Sequence, residues 1–379
     1  MKRPPIRVLV ADDSATLRTA LIALLGEDPS LVVVGQAADG QEAVAKALSL
    51  RPDVITMDVI MPRLDGLGAT AAIMAQAPAR VLVVCSVAEE KQLDLSFRAM
   101  AAGALELIAK PAPGVVALRA WGKKVAEAVR LMAEVPVVRR HRSSPRETPE
   151  PGTEPALKPL REAKTGALKP GGEVRAAGRP ARAHTFPAAG TIDVIACVAS
   201  TGGPPALAIL LAALPTTLPV PILIAQHIAE GFTAGLVRWF AQVSKLPVQI
   251  AVEGERPEPG VVYLPPDGCD LELGLPFTLH ARRSTDLHCP SGNKLLASVA
   301  RTVGARALGL VLTGMGDDGA QGLLALRSAG GQTYAQDQES SVVFGMPQVA
   351  HSLGAARALV PLERMARIVL DACSAGAPG

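Results

Sequence analysis

Short runs of apolar, β-branched residues alternate along this chain with longer stretches in which apolar residues recur every three or four positions. The short runs are typical of strands buried on both faces, and the longer stretches are typical of amphipathic helices. In the first part of the chain the predicted strands are residues 7–11, 32–37, 54–57, 81–85 and 105–109. In the last part they are residues 193–198, 221–226, 261–264, 308–312 and 332–335. This alternation predicts an α/β fold with two doubly wound parallel-sheet domains.

The periodic pattern is interrupted in the middle of the chain. Residues 133–190 contain nine Pro, and their eleven Lys and Arg outnumber six Glu. A segment of this composition buries too little apolar surface to fold alone. We therefore predict two domains at 5–127 and 190–375, joined by a long, flexible Pro- and Arg-rich linker at 128–189. A basic patch for nucleic acid or membrane is the alternative, although Phe186 is the only aromatic residue there that could stack on a base.

Composition excludes several classes of protein. No apolar run approaches the roughly 20 residues of a membrane span, and the first residues lack a signal-peptide pattern. The five Cys include no C-x-x-C pair, which argues against a disulfide framework or a zinc site. The formal net charge is only +3, and the basic excess lies in the linker. We expect a cytoplasmic protein without membrane insertion, and no nucleic acid among its partners.

Polar residues follow the predicted strands of the first domain. Asp12 and Asp13 follow the first strand, Asp58 the third, Ser86 the fourth and Lys110 the fifth. The carboxyl ends of parallel strands meet at one edge of the sheet, so these side chains are expected to lie together. Three neighbouring carboxylates suit Mg²⁺, and a lysine beside them suits a phosphoryl oxygen. Each acid alone could be a helix cap or a loop carboxylate, but the joint placement favours phosphoryl transfer to Asp58.

The first domain resembles response-regulator receiver domains over about residues 5–127. The resemblance lies in the runs Val8-Leu-Val-Ala-Asp12-Asp13-Ser14, Met57-Asp58-Val-Ile-Met61-Pro62-Arg-Leu-Asp65-Gly66 and Ala109-Lys110-Pro111.

That resemblance implies phosphorylation of Asp58 by a histidine kinase. It implies Mg²⁺ bound by Asp13, Asp58 and the carbonyl of Ile60, with Asp12 nearby. Ser86 and Lys110 take the switch positions of such domains, and the Lys110–Pro111 peptide is expected to be cis. The chain departs from the pattern at Leu107, where these domains usually carry an aromatic residue.

The second domain repeats the strand-end arrangement with different chemistry. Ser200 follows one predicted strand, His227 follows the next, and Asp317 and Asp318 lie in a glycine-rich turn after a third. A serine hydroxyl needs a base, and a histidine oriented by a carboxylate supplies one, so the set predicts a serine hydrolase. Chemistry alone does not separate the two aspartates. Each motif could instead be a helix cap or an ordinary turn, and the Ser-Thr-Gly-Gly turn could cradle a phosphate.

Residues of this domain are also similar to the CheB family, the chemotaxis protein-glutamate methylesterases, over about residues 190–372. The resemblance lies in Ala199-Ser200-Thr201-Gly202-Gly203, Gln226-His227 with Gly231-Phe232-Thr233, Leu312-Thr-Gly-Met-Gly-Asp-Asp318-Gly, and Ser341-Val-Val-Phe-Gly-Met-Pro347.

The CheB resemblance implies a triad of Ser200, His227 and Asp318. Thr201, Gly202 and Met315 are the oxyanion candidates, and the esterase step needs no cofactor. The implied substrates are glutamyl methyl esters on methyl-accepting chemotaxis receptors, with glutamine deamidation as a second activity. A chemotaxis histidine kinase would be the phosphodonor, and the unphosphorylated receiver would cover the catalytic face.

The chain departs from the CheB pattern at two places. The residue two before Ser200, usually Gly, is Val198, and the run that begins at His288 keeps His-x-Pro-Ser but replaces the following Val-Asp by Gly292-Asn293. These departures leave a receptor-binding protein without turnover as one alternative. A receiver fused to a nucleotide-binding module is another. A DNA-binding response regulator is disfavoured because no helix-turn-helix pattern follows the receiver.

Overall fold

A parallel sheet forms the centre of the first domain. The computed structural model describes residues 4–87, 90–112, 114–135, 192–286 and 288–374. The sheet has strand order β2-β1-β3-β4-β5, with all neighbouring pairs parallel. Its strands are β1 (Ile6–Ala11), β2 (Leu31–Ala37), β3 (Val54–Asp58), β4 (Arg80–Cys85) and β5 (Glu106–Ala109). The central strand β3 is buried throughout, as expected for a sheet covered on both faces.

Five helices cover this sheet, and side-chain caps mark several of their starts. The helices are α1 (Ala15–Leu25), α2 (Gly40–Leu50), α3 (Gly66–Gln76), α4 (Glu90–Ala102) and α5 (Val115–Ala133). Ser14, Asp39 and Asp65 each accept a backbone N–H in the first turn of the helix that follows. Helix α5 continues six residues past the predicted boundary at 127 because its buried face extends through Val129 and Met132.

The second domain has a larger parallel sheet of seven strands in the order β14-β13-β12-β6-β7-β9-β8. Its strands are β6 (Val194–Ala199), β7 (Ile222–Gln226), β8 (Val248–Ile250), β9 (Val262–Leu264), β12 (Ala307–Val311), β13 (Gln332–Gln336) and β14 (Ala358–Val360). Its helices are α6 (Gly203–Ala213), α7 (Thr233–Val243), α8 (Gly292–Thr302), α9 (Ala320–Ser328), α10 (Met346–Ser352) and α11 (Leu362–Ser374), with a 3₁₀ turn at Gly304–Arg306.

The predicted fold class is confirmed, and the structure adds elements that the sequence pattern missed. Strands β10 (Cys269–Gly274) and β11 (Thr278–Arg283) form a separate antiparallel hairpin, and the short strands β8 and β14 extend the main sheet. The Lys110–Pro111 peptide is not cis as expected; within the described ranges the cis peptides are Leu275–Pro276 and Cys289–Pro290. The predicted linker beyond residue 135 lies outside the described residues.

The two sheets share a continuous apolar core. Leu93 and Phe97 of α4 belong to the same buried cluster as Phe232, Leu236 and Trp239 of the second domain. Phe97 stacks on Trp239 with ring centroids 5.7 Å apart, and it meets Phe232 edge-on at 6.5 Å. The receiver therefore packs against the second domain chiefly through α4 and α7. No helix within the described ranges combines the length and apolar composition needed to cross a bilayer.

Candidate functional site

Three carboxylates meet at the edge of the first sheet, as the strand-end pattern predicts. One oxygen from each of Asp12, Asp13 and Asp58 lies within 4.8 Å of the others. Lys110 follows β5, and its Nζ lies 2.7 Å from Oδ2 of Asp58 and 3.4 Å from Oδ2 of Asp12. Ser86 follows β4, where its backbone N–H donates to the Gln92 side chain.

The electrostatics of this acidic cluster fit a bound cation. Burial raises the pKa of Asp58 to about 6 against the effect of Lys110, and Asp12 and Asp13 add to the rise. Oδ1 of Asp58 is buried and has no hydrogen-bond partner among the described residues. A hard divalent cation would satisfy that oxygen and offset the repulsion between the acids. Ile60 lies two residues beyond Asp58, in the loop between β3 and α3.

Ser200 and His227 lie on neighbouring strands of the second sheet. Ala199, at the end of β6, pairs in register with Gln226, at the end of β7, so the residue after each strand lies at the same edge. The His227 N–H donates to the Ala199 carbonyl at 3.0 Å. Ser200 and His227 both line one cavity of about 590 Å³. The strand-end placement of the two residues is therefore as predicted, and both residues line the same cavity.

Asp318 is the acid that reaches the histidine. Its Oδ2 lies 2.7 Å from Nε2 of His227, whereas Asp317 is exposed in the preceding position. Nε2 of the neutral imidazole carries its proton toward the carboxylate, which leaves Nδ1 as the proton acceptor. The structure thus separates the two acids that chemical reasoning on the sequence left equivalent, and the acid beside His227 is the one that the resemblance implies.

The first turn of α8 holds the Asp318 carboxylate. The backbone N–H groups of Gly292 and Asn293 donate to it at 2.6 and 2.9 Å, and the Ser291 hydroxyl is 3.4 Å away. Burial acts to raise the pKa of Asp318, but His227 and these N–H donors outweigh it and leave the pKa below its usual value. Asp318 therefore stays ionised and available to orient the imidazole.

The side chain of Gln226 is hydrogen-bonded to both Ser200 and His227. Its amide nitrogen donates to the carbonyls of Ser200 and His227, at 2.9 and 2.8 Å. Gln226 is buried, and one amide group thus ties the two strand ends together. The sequence analysis included Gln226 in a motif but assigned it no role. Its hydrogen bonds join the ends of two strands, and they can be recognised only when the register of those strands is known.

Two further side chains extend the site. The His288 ring stacks on the His227 ring, with centroids 5.1 Å apart and an interplanar angle of 10°. The Thr313 hydroxyl donates to the Thr201 carbonyl at 3.0 Å and braces the turn after Ser200.

The oxyanion candidates differ in their placement. Thr201 and Met315 line the cavity together with Ser200. Gly202 is not among the lining residues; it adopts a left-handed conformation (φ +74°) in which a Cβ would lie 2.5 Å from Val342. Its observed contribution is the sharp turn between β6 and α6.

Receiver residues form one wall of this cavity. Glu106 and Leu107 of β5 line it together with Lys124 and Glu127 of α5. Thr201 follows Ser200 in the chain, and its hydroxyl donates to Oε2 of Glu106 at 3.0 Å. Receiver residues and the residues Ser200 and His227 therefore line the same cavity.

Comparison with known proteins agrees with both halves of the molecule. A family model described as CheB methylesterase matches residues 195–369, and one described as response regulator receiver domain matches residues 8–119. Protein-glutamate methylesterase/protein-glutamine glutaminase 3 of Myxococcus xanthus is 50% identical over 371 residues, covering 98% of this chain and 94% of that protein. A protein of the same description from Anaeromyxobacter dehalogenans is 41% identical, covering 95% of this chain and 97% of that protein.

A solved structure is similar to about half of this chain. The crystal structure of the Thermotoga maritima CheB methylesterase catalytic domain shares 30% identity and covers 48% of this chain and 98% of its own, with a TM-score of 0.46. The two M. xanthus and A. dehalogenans relatives each extend across both domains of this chain. The chain therefore belongs to the CheB methylesterase family, with a response regulator receiver domain preceding the methylesterase domain.

Proposed function

We propose that this protein is a phosphorylation-regulated serine hydrolase that demethylates glutamyl methyl esters on chemoreceptors and also deamidates receptor glutamines. The observation that carries the proposal is the position of His227, which is hydrogen-bonded to Asp318 and shares one cavity with Ser200. That set of groups suits acyl transfer. The names of the full-length relatives supply the substrate class.

The reaction follows from the tautomer that Asp318 selects. Nδ1 of His227 accepts the proton of the Ser200 hydroxyl as Oγ attacks the ester carbonyl. Met315 and the turn at Thr201 line the cavity, where their N–H groups would stabilise the oxyanion. The tetrahedral adduct collapses, and methanol leaves with the proton from His227. Water then attacks the acyl-enzyme, with His227 again as base, and releases the glutamate.

The acidic cluster of the receiver supplies the regulation. Asp58 would accept a phosphoryl group from a chemotaxis histidine kinase, and Lys110 would hold a phosphoryl oxygen. Mg²⁺ bound by Asp13, Asp58 and the Ile60 carbonyl, with Asp12 nearby, would neutralise charge on the transferred group. Phosphorylation would then weaken the contact between the receiver and the second domain, so that the receiver no longer forms a wall of the cavity. Ser86 would act as the switch residue at the end of β4.

Methanol release from methylated receptor membranes tests this function. Full-length protein is expected to release methanol faster with a small-molecule phosphodonor than without one, and a fluorophosphonate probe is expected to label Ser200. Ser200→Ala should remove both signals, whereas Ser328→Ala, on the exposed face of α9, should retain them. Methanol release by Ser200→Ala at the parent rate would exclude Ser200 as the nucleophile. Absence of release from the phosphorylated parent protein would favour a binding role without turnover.

A further inference from the structure

Glu106 is an unusual residue to find at the interface between the two domains. It lies at the start of β5 in the receiver, in the wall of the catalytic cavity. Its carboxyl group accepts hydrogen bonds from the Thr201 hydroxyl at 3.0 Å and from the Leu107 N–H at 3.2 Å. Both donors are neutral, and no described Lys or Arg forms an ion pair with it. An apolar side chain would be less costly at this position, because two neutral donors and the charge of Lys124 only partly offset the burial of the carboxyl group.

The position of this carboxyl group matches the chemistry of the reaction. The product of ester hydrolysis is a glutamate side chain, and Glu106 is itself a glutamate. Its partner, Thr201, follows the nucleophile Ser200 directly and is buried. Glu106 and His227 line the same cavity. Burial raises the pKa of Glu106, and the Leu107 N–H, the Thr201 hydroxyl, Lys124 and His227 act against that rise.

We propose that the Thr201 hydroxyl is the donor that binds the carboxyl end of the substrate's glutamyl side chain, and that Glu106 of the receiver fills this subsite as a tethered mimic of the product. In the unphosphorylated protein, Glu106 then competes with the substrate for the Thr201 hydroxyl, and the receiver also covers the cavity. This inference rests on the function proposed above.

Competition predicts a distinct kinetic signature. A tethered competitor reduces the fraction of protein that can bind substrate, so it raises the apparent KM and leaves kcat unchanged. Hydrogen bonds to charged groups contribute about 1.5–3 kcal/mol, so loss of this contact should alter the open fraction by a factor between about 10 and 150. Glu106→Ala in the full-length protein, without phosphodonor, is therefore expected to lower the apparent KM for methylated receptor about tenfold at constant kcat.

A matched control is available in the same cavity wall. Glu127 lines the cavity from α5, and among the described residues it has neither a hydrogen bond nor an ion pair that would tie it to the catalytic turn. Glu127→Ala makes the same truncation and should leave the basal KM and kcat unchanged. The phosphorylated forms of the parent, Glu106→Ala and Glu127→Ala should all turn over alike, since the receiver has then released the cavity.

A second variant tests the role of Thr201. Thr201→Val keeps the shape of the side chain and removes its hydroxyl. If this hydroxyl binds both Glu106 and the substrate, Thr201→Val should raise the KM of the phosphorylated protein, and adding Glu106→Ala should then change the basal KM by less than about twofold.

Three results would overturn the inference: an unchanged basal KM in Glu106→Ala, an equal effect of Glu127→Ala, or a rise in kcat at constant KM. Each presupposes that the phosphorylated parent releases methanol in a Ser200-dependent manner. Loss of that activity would instead contradict the proposed function.

Discussion

Asp317 and Asp318 carry the same functional group but have opposite surroundings. Asp317 is exposed, whereas Asp318 is buried among the His227 ring and the N–H groups of Gly292 and Asn293. These surroundings favour the ionised form of Asp318, because each group that contacts its carboxylate oxygens is a hydrogen-bond donor. Asp318 differs from Asp317 because the first turn of α8 directs its N–H groups at the Asp318 carboxylate.

Replacing Asp318 by Asn should reduce activity far more than replacing Asp317. The amide would direct N–H groups toward the donors of α8 and would stabilise the wrong tautomer of His227, so kcat is expected to fall by roughly 10³- to 10⁴-fold. Asp317→Asn should retain the parent rate. Initial rates of methanol release with phosphodonor measure both. A loss of less than tenfold in Asp318→Asn would contradict the orienting role.

The same change should affect stability in a pH-dependent way. The pKa of Asp318 is lowered in the folded protein from an ordinary value of 3.8. Its stabilising contribution is therefore present above about pH 4 and is lost as the pH falls through the folded-state pKa. In denaturant unfolding, Asp318→Asn should be less stable than the parent at pH 7, and the difference should shrink at pH 3.

At the level of elements, the two positions at which the chain departs from the CheB pattern lie in contact, so we expect the departures to compensate each other. Val198 lies on β6 and Gly292 at the start of α8, and the resemblance described above implies Gly at the first position and Val at the second. A Cβ added to Gly292 would lie 2.2 Å from Cγ1 of Val198. The Val198 side chain therefore fills the space that a side chain at position 292 would occupy. Because the Gly292 N–H donates to Asp318, this packing also affects the position of that carboxylate.

Exchanging the two residues tests this compensation. Val198→Gly alone should destabilise the second domain by about 2–4 kcal/mol through a cavity, and Gly292→Val alone should displace α8 and lower kcat. The double variant should recover much of both losses, which a double-mutant cycle of unfolding free energy and kcat would measure. Val198→Gly should not rescue Gly309→Val, whose added side chain would meet Leu323, Leu326 and Leu296 instead. Additive losses in the exchanged pair would disprove the coupling.

The elements differ in how far the sequence could predict them. The strands of both sheets carry long apolar runs, and the rule that strand ends converge placed Ser200, His227 and the acids of the receiver correctly at their sheet edges. The hairpin β10–β11 mixes charged and apolar residues and gives no such signal. Glu106 and Gln226 act through contacts between elements that are distant in the sequence, which no local pattern records.

At the level of the whole molecule, the receiver and the second domain are held together by an apolar contact as well as by Glu106. Phe97 is fully buried against Trp239 and Phe232, in a chain whose aromatic content is only 3%. Beside this contact, Arg238 of α7 pairs with Glu90 at 3.2 Å. The exposed ion pair contributes at most about 1 kcal/mol, so the aromatic packing dominates.

Truncation of Phe97 should therefore open the molecule without phosphorylation. Phe97→Ala is expected to raise basal methanol release at least tenfold, because burial of a Phe side chain in a packed core contributes about 3–5 kcal/mol, part of which stabilises the interface. In a Trp121→Phe background, the Trp239 fluorescence should shift in the variant as it does when the parent protein receives a phosphodonor. Arg98→Ala, at the exposed neighbouring position of α4, should change neither signal. A fluorescence shift without a gain in basal activity would show that loss of the aromatic contact does not relieve inhibition. Glu106 would then be the residue that blocks the site.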